Sequence, residues 1–160
     1  MLGYLQVQEI EALLSTQLVG RIGCHADNKT YVVPISYAYD GEYIYCRADE
    51  GLKVEMMRKN PAVCFEVDRF HDMANWQSVI AWGTYEELME EVPRKTALKK
   101  LVERELPFFS SQMTHLSPQW PFPPTDLNTI KGVVFRIRLH EKSGRFENNK
   151  GSKGPEAADN

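Results

Sequence analysis

Two short turns divide residues 18–48 into runs that alternate with period two, a pattern that fits an antiparallel meander and little else. Leu18, Gly20, Ile22, Cys24 and Ala26 fall on one face, and Val19, Arg21, Gly23 and His25 on the other. Asp27-Asn28-Lys29 supplies a tight turn into a second strand over residues 30–37. Asp40-Gly41 is the strongest short hairpin signal in the sequence and returns the chain as a third strand over 42–48.

The rest of the chain continues this theme with few helices. Val7, Ile10, Leu13 and Leu14 predict an amphipathic helix over 6–16. Asp49 is placed to cap a helix over 50–59, with Leu52 and Met56 on its buried stripe, and Asn60-Pro61 ends it. Residues 62–68 read as a fourth strand with Val63, Phe65 and Val67 on one face. Residues 76–87 read as a fifth, with a bulge or bend at Gly83. Pro93 suits the start of a helix that carries Ala97, Leu98, Leu101 and Val102 and ends near residue 106. Residues 107–129 hold Pro107, Pro118, Pro121, Pro123 and Pro124 among Phe108, Phe109, Trp120 and Phe122. So long a connection without its own period either covers a ligand or buries dimer surface. Residues 130–140 alternate again as a late strand, and the chain turns polar from Glu141. The expected fold class is therefore mainly β with accessory helices: one barrel domain over 1–147, closed or nearly so, and a disordered tail over 148–160.

Charge and cysteine usage narrow the function. A formal net charge of −3 argues against a nucleic-acid partner, which calls for a basic face. No apolar run approaches the roughly 20 residues that span a bilayer, and no charged leader with an apolar core opens the chain. Cys24, Cys46 and Cys64 are an odd, scattered set inside apolar strands, which predicts reduced, buried thiols and a cytoplasmic location.

No hydrolase elbow, zinc-protease motif, Walker loop or dinucleotide fingerprint is present. Cys24 and His25 can each bind a metal or a haem iron, but neighbours on a strand point to opposite faces and converge poorly on one ion. Ala48-Asp49-Glu50-Gly51-Leu52-Lys53 is more telling. A glycine in the first turn of a helix admits a ligand close to backbone N–H groups, and Lys53 adds a mobile positive charge; together they suit a phosphate. Arg47 can add a second cation, whereas Arg58 lies too far round the helix to be assumed. Pro34 interrupts an otherwise good strand, which either protects an edge or frees backbone groups for a planar ligand. Gln77 and Ser78, beside Trp76, can bind ring or phosphate oxygens, and Trp76 itself equally suits core or interface.

Taken together these segments resemble the pyridoxamine 5′-phosphate oxidase-related flavin-binding proteins, most closely their nitroimidazole-resistance-like branch. The resemblance is carried by residues 20–23 (GRIG), 33–41 (VPISYAYDG), 44–45 (IY), 50–53 (EGLK), 57–61 (MRKNP), 63–68 (VCFEVD) and 75–83 (NWQSVIAWG), in family order and spacing. It implies a split β-barrel that forms a homodimer and holds FMN in two equivalent grooves between subunits. By that analogy Pro34, Ile35, Ser36 and Tyr37 lie along the isoalloxazine ring. Lys53 holds the phosphate with help from Arg47 or the helix N-terminus, and Gln77 and Ser78 come from the neighbouring barrel region or the partner chain. The implied activity is an FMN-dependent oxidoreductase, passing electrons from a reduced nicotinamide to a small nitro compound or quinone. The alternative is a barrel that stores or senses flavin or haem without turnover; some relatives hold haem or a deazaflavin instead. Two departures stand out. Arg47-Ala48 replaces the His or small polar residue that the branch commonly places after its Ile-Tyr strand. Residues 135–139 also lack the substrate-binding pattern of true pyridoxamine phosphate oxidases, so vitamin B6 synthesis is not expected.

Overall fold

Among the described residues, six strands close on themselves into a ring, and a seventh short strand lies beside it. The computed structural model describes residues 1–104 and 126–149. In chain order the elements are β1 (Leu2–Tyr4), α1 (Val7–Thr16), β2 (Val19–Ala26), β3 (Lys29–Tyr39), β4 (Tyr43–Ala48) and α2 (Leu52–Lys59). They continue as β5 (Ala62–Asp72), β6 (Asn75–Glu87), α3 (Glu91–Val102), a 3-10 turn (Leu127–Thr129) and β7 (Val133–Glu147). Every strand pair is antiparallel. The ring runs β7-β4-β3-β2-β5-β6-β7 with β1 beside β7; it is the barrel that the alternation predicted, in the split form that the resemblance implied.

The local signals act as their chemistry requires. Asp27 and Asn28 both adopt positive φ, 51° and 60°, so the β2–β3 hairpin turns on two left-handed residues that match the twist of the strands. Ile22, Cys24 and Ala26 of β2 and Val63, Phe65 and Val67 of β5 all face inward, as their period predicts. Inside the ring, Phe65 meets Tyr37 edge-on with ring centroids 4.8 Å apart, and the Tyr37 hydroxyl donates to Leu14 O of α1 at 2.6 Å. That bond fixes α1 over one end of the barrel. Gly83 marks a register shift between β6 and β7, and a side chain there would place its Cβ 2.4 Å from Arg138 O. Closure of the ring therefore depends on a bare backbone at this position. A second apolar cluster lies outside the ring, where Ala97, Leu98 and Leu101 of α3 cover Ala38, Tyr45 and Val134.

Several boundaries differ from the sequence-based reading. Asp49 caps nothing: α2 begins at Leu52 behind Gly51 with no side-chain cap, and the Asp49 carboxylate pairs with Arg47. The last strand runs to Glu147 rather than ending near 140, because β6, β1 and then the backbone of Met1 continue to pair with it. β5 runs on to Asp72, and α3 ends at Val102. Of the proline-rich stretch, residues 107–125 lie outside the described residues; 126–129 form the 3-10 turn capped by the Asp126 side chain. Residues 150–160 of the expected tail also lie outside them. Among the described residues no helix is long and apolar enough to cross a membrane.

Candidate functional site

The split lies between β3 and β4. These strands pair only through Tyr37, Ala38 and Tyr39, while β4 stays paired with β7 along its whole length. Residues 29–36 of β3 thus have β2 on one side and, among the described residues, no strand on the other. The Tyr37 N–H donates to Leu18 O on the β2 side, so by alternation Val32, Pro34 and Ser36 turn their backbone groups to the open edge. Pro34 therefore removes no ladder bond, and the carbonyls beside it remain available to a ligand.

Side chains of the same stretch divide by face. Pro34 points outward and is exposed. Ile35 and Tyr37 point into the core at 5% and 1% exposure, so they shape the groove from beneath and do not line it. Ser36 points outward but is covered, because the Arg104 guanidinium reaches over it. Arg104 donates Nη1 to Ser36 Oγ and to Tyr37 O at 2.9 Å, and Nε to Leu101 O at 2.8 Å. Burial pulls its pKa down to about 10, still protonated at neutral pH, and no described carboxylate pairs with it. Sequence reasoning missed Arg104, since a single arginine at the end of a helix carries no periodic or motif signal.

At the other end of the split, α2 presents Lys53. This side chain is half-buried, yet no ion pair or hydrogen bond engages it among the described residues. Its charge is felt inside the ring: burial pushes the Cys24 and Cys46 thiols up, and Lys53 opposes that shift at both. The first turn of a helix has N–H groups with no intrahelical acceptor, and Gly51 leaves the approach open, with no heavy atom within 4 Å of where its Cβ would stand. Arg47 is differently placed. It projects outward between the buried Cys46 and Ala48, donating Nε to Lys131 O at 2.7 Å and pairing Nη2 with Asp49 at 2.7 Å. Arg58 is held by Glu50 and Glu87.

Gln77 and Ser78, neighbours on β6, face opposite ways. Ser78 lies on the outer face and donates to Glu66 at 3.0 Å, beside Arg21, which bridges Glu66 and Asp68 at 2.9 and 2.8 Å. Gln77 turns to the rim of the barrel. Ser78 shares the outer face with Pro34 but sits three strands away, across β2 and β5. At about 4.8 Å per strand that is roughly 14 Å, so one chain does not bring both onto one ring. His25 is exposed and bonded to Thr30, and Cys24 is buried on the opposite face.

A family model described as pyridoxamine 5′-phosphate oxidase matches residues 6–146. A crystal structure of an FAD-binding protein from Mesorhizobium loti is 31% identical with a TM-score of 0.67, over 91% of this chain and 98% of that one. A putative 5-nitroimidazole antibiotic resistance protein from Bacteroides thetaiotaomicron has the same TM-score at 18% identity, over 91% of this chain and 87% of that one, and shares the fold. An uncharacterized protein of Rhizobium meliloti is 35% identical over 81 residues, so the match spans about half of each chain, 51% of this one and 54% of that one.

Proposed function

The chain belongs to the pyridoxamine 5′-phosphate oxidase family, and from that premise we propose that it binds FMN along the open edge of β3, with the phosphate at Lys53. The observation that carries this reading is Lys53 itself: a half-buried ammonium with no carboxylate partner among the described residues, at a helix start left open by Gly51, beside a split in the sheet. A half-buried cation is costly unless an anion completes it. The exposed backbone edge at Pro34 suits the polar rim of a flavin, and FAD carries the same ring and first phosphate.

A second copy of the chain completes the site. The outer face of β2, β5 and β6 exposes Val19 (42%), Ile80 (40%) and Trp82 (41%), together with Val32 of β3 (62%). Ser78 lies in the middle of that face, too far from its own β3 edge to share a ligand with it. In the homodimer we propose, packing through this face would carry the Ser78 of one copy toward the groove of the other, and each dimer would hold two flavins. Bound there, the flavin would supply two-electron chemistry between a reduced nicotinamide and a small acceptor of nitro or quinone type. The chain's part is to orient the ring and shield it, and three free cysteines fit a reducing cytoplasm.

An absorption spectrum of the purified protein, before and after excess FMN and desalting, tests the cofactor. Retained flavin bands that bleach with NADH or NADPH are expected. Retained bands that no nicotinamide bleaches would reduce the reading to a flavin carrier, and a blank spectrum would remove it.

A further inference from the structure

Between the C-terminal ends of α1 and α3 a cavity of about 470 Å³ opens beside residues 37–39 of β3. Arg104 forms part of its wall. A guanidinium carries five N–H groups and accepts nothing. Three of those on Arg104 go to the protein: Nε to Leu101 O, and Nη1 to both Ser36 Oγ and Tyr37 O. All three acceptors are neutral. Nη2 donates to no described residue, and no described carboxylate pairs with the group. The charge is partly buried and uncompensated, a state that a bound anion relieves.

The rest of the wall favours the same sign. Lys100, one helical turn before Arg104, is exposed and has no hydrogen bond or ion pair among the described residues. Glu103 is the one carboxylate among the described lining residues, and it leans on Lys99 at 3.8 Å. Ser15 and Gln17, at the end of α1, add a hydroxyl and an amide whose side-chain donors no described group engages. A helix C-terminus repels anions through its free carbonyls, but those nearest the cavity are occupied. Leu13 O and Leu14 O accept the Gln17 N–H and the Tyr37 hydroxyl, and Leu101 O accepts Arg104 itself. With Nε and Nη1 committed, Arg104 meets one oxygen through Nη2 and forms no two-pronged fork. Two cations against one glutamate leave a single positive charge, which suits a monoanion better than a phosphate dianion. We propose that this cavity binds the carboxylate of a small organic acid, one oxygen on Arg104 Nη2 and the other taken by the mobile Lys100 ammonium. The inference holds with the β3 groove empty or filled, so it stands apart from the flavin reading.

Isothermal titration of the full chain, without added flavin, compares three molecules of one shape: benzoate, its neutral counterpart benzamide and the cationic benzamidine. Benzoate is expected to bind at least about tenfold tighter than benzamide, as a charge-assisted hydrogen bond implies, and benzamidine weakest. Arg104→Met keeps a stem over Ser36 without the charge, and the preference for benzoate should disappear. Lys100→Gln alters only an exposed side chain and should weaken benzoate about threefold with benzamide unchanged. That variant decides the matter should Arg104→Met fold poorly. Lys53→Ala should leave benzoate binding as it is, which separates this cavity from the proposed phosphate site. Benzoate that binds no tighter than benzamide would overturn the proposal. So would an intact preference in Arg104→Met, an unaltered benzoate affinity in Lys100→Gln, or loss of benzoate binding in Lys53→Ala.

Discussion

Along β3 the outward-facing side chains meet two different environments. Ala38 lies under Leu98 and Leu101 of α3 and is 7% exposed, whereas Val32, six residues earlier on the same face, is 62% exposed. The uncovered region continues over β2, β5 and β6, where Val19, Ile80 and Trp82 surround the Arg21–Glu66–Asp68 network. Both regions have the same alternation. Period two separates inward from outward; it does not tell which outward residues the chain covers with its own helix. The covered region is finished within one chain, and the uncovered one is the surface that the proposed homodimer would bury.

Truncation on the covered side should cost the most. Leu98→Ala removes a side chain that is 1% exposed between α3 and the sheet, and is expected to lower unfolding free energy by about 3 kcal/mol. Chemical denaturation reads this directly, with flavin content following only as the fold is lost. Ile80→Asp probes the other side, where the residue is 40% exposed in one chain. A charge there should leave the denaturation of one chain within about 0.5 kcal/mol, yet weaken self-association by at least roughly thirtyfold in sedimentation equilibrium. A loss of one-chain stability as large as that of Leu98→Ala would mean that the two faces are alike after all.

A smaller effect separates the two cations beside the split. Lys53→Ala should weaken FMN about ten- to thirtyfold, the size of a lost charge-assisted hydrogen bond, with the oligomer unchanged. Arg47→Ala should cost about threefold or less, because Lys131 O and Asp49 already occupy its guanidinium. Fluorescence titration of FMN against each variant checks both. The reverse order would move the phosphate to the outer face of β4.

Most of the ring was legible in the sequence because its inward positions are apolar and its turns use residues that tolerate left-handed backbone. The unread parts each have a local cause. β7 continues through residues 141–147 although they look polar, since at the rim the inward positions are Lys142 and Gly144. Lys142 is held there by Glu11 and by the Tyr39 hydroxyl at 2.7 Å. β1 spans three residues, too few for any period to show. Asp49 resembles a helix cap in sequence, but Arg47 claims its carboxylate. Of the site, Lys53 and Pro34 could be read from local chemistry. Arg104 over Ser36 could not, because that contact joins residues 68 positions apart.

The smallest expected effect is a pH dependence on the covered side. Asp40 closes the β3–β4 hairpin: Oδ1 accepts the N–H groups of Glu42 and Tyr43 at 3.0 and 2.8 Å, and Oδ2 accepts the Tyr45 hydroxyl at 2.6 Å. Burial pushes its carboxyl up, but these three bonds together outweigh that and leave its pKa below the ordinary 3.8. A carboxyl depressed in the folded state contributes stability above its unfolded pKa and loses it as pH falls through the folded value. The contribution is thus present at pH 5 and above, and fades below about pH 4. Because Tyr45 packs beneath α3, the loss reports on the covered region and not on the open face. Between pH 5 and pH 3, Asp40→Asn should lose less of its urea midpoint than the unaltered chain, by an amount worth about 1 kcal/mol or less. Equal losses in the two proteins would show that the hairpin does not sense pH.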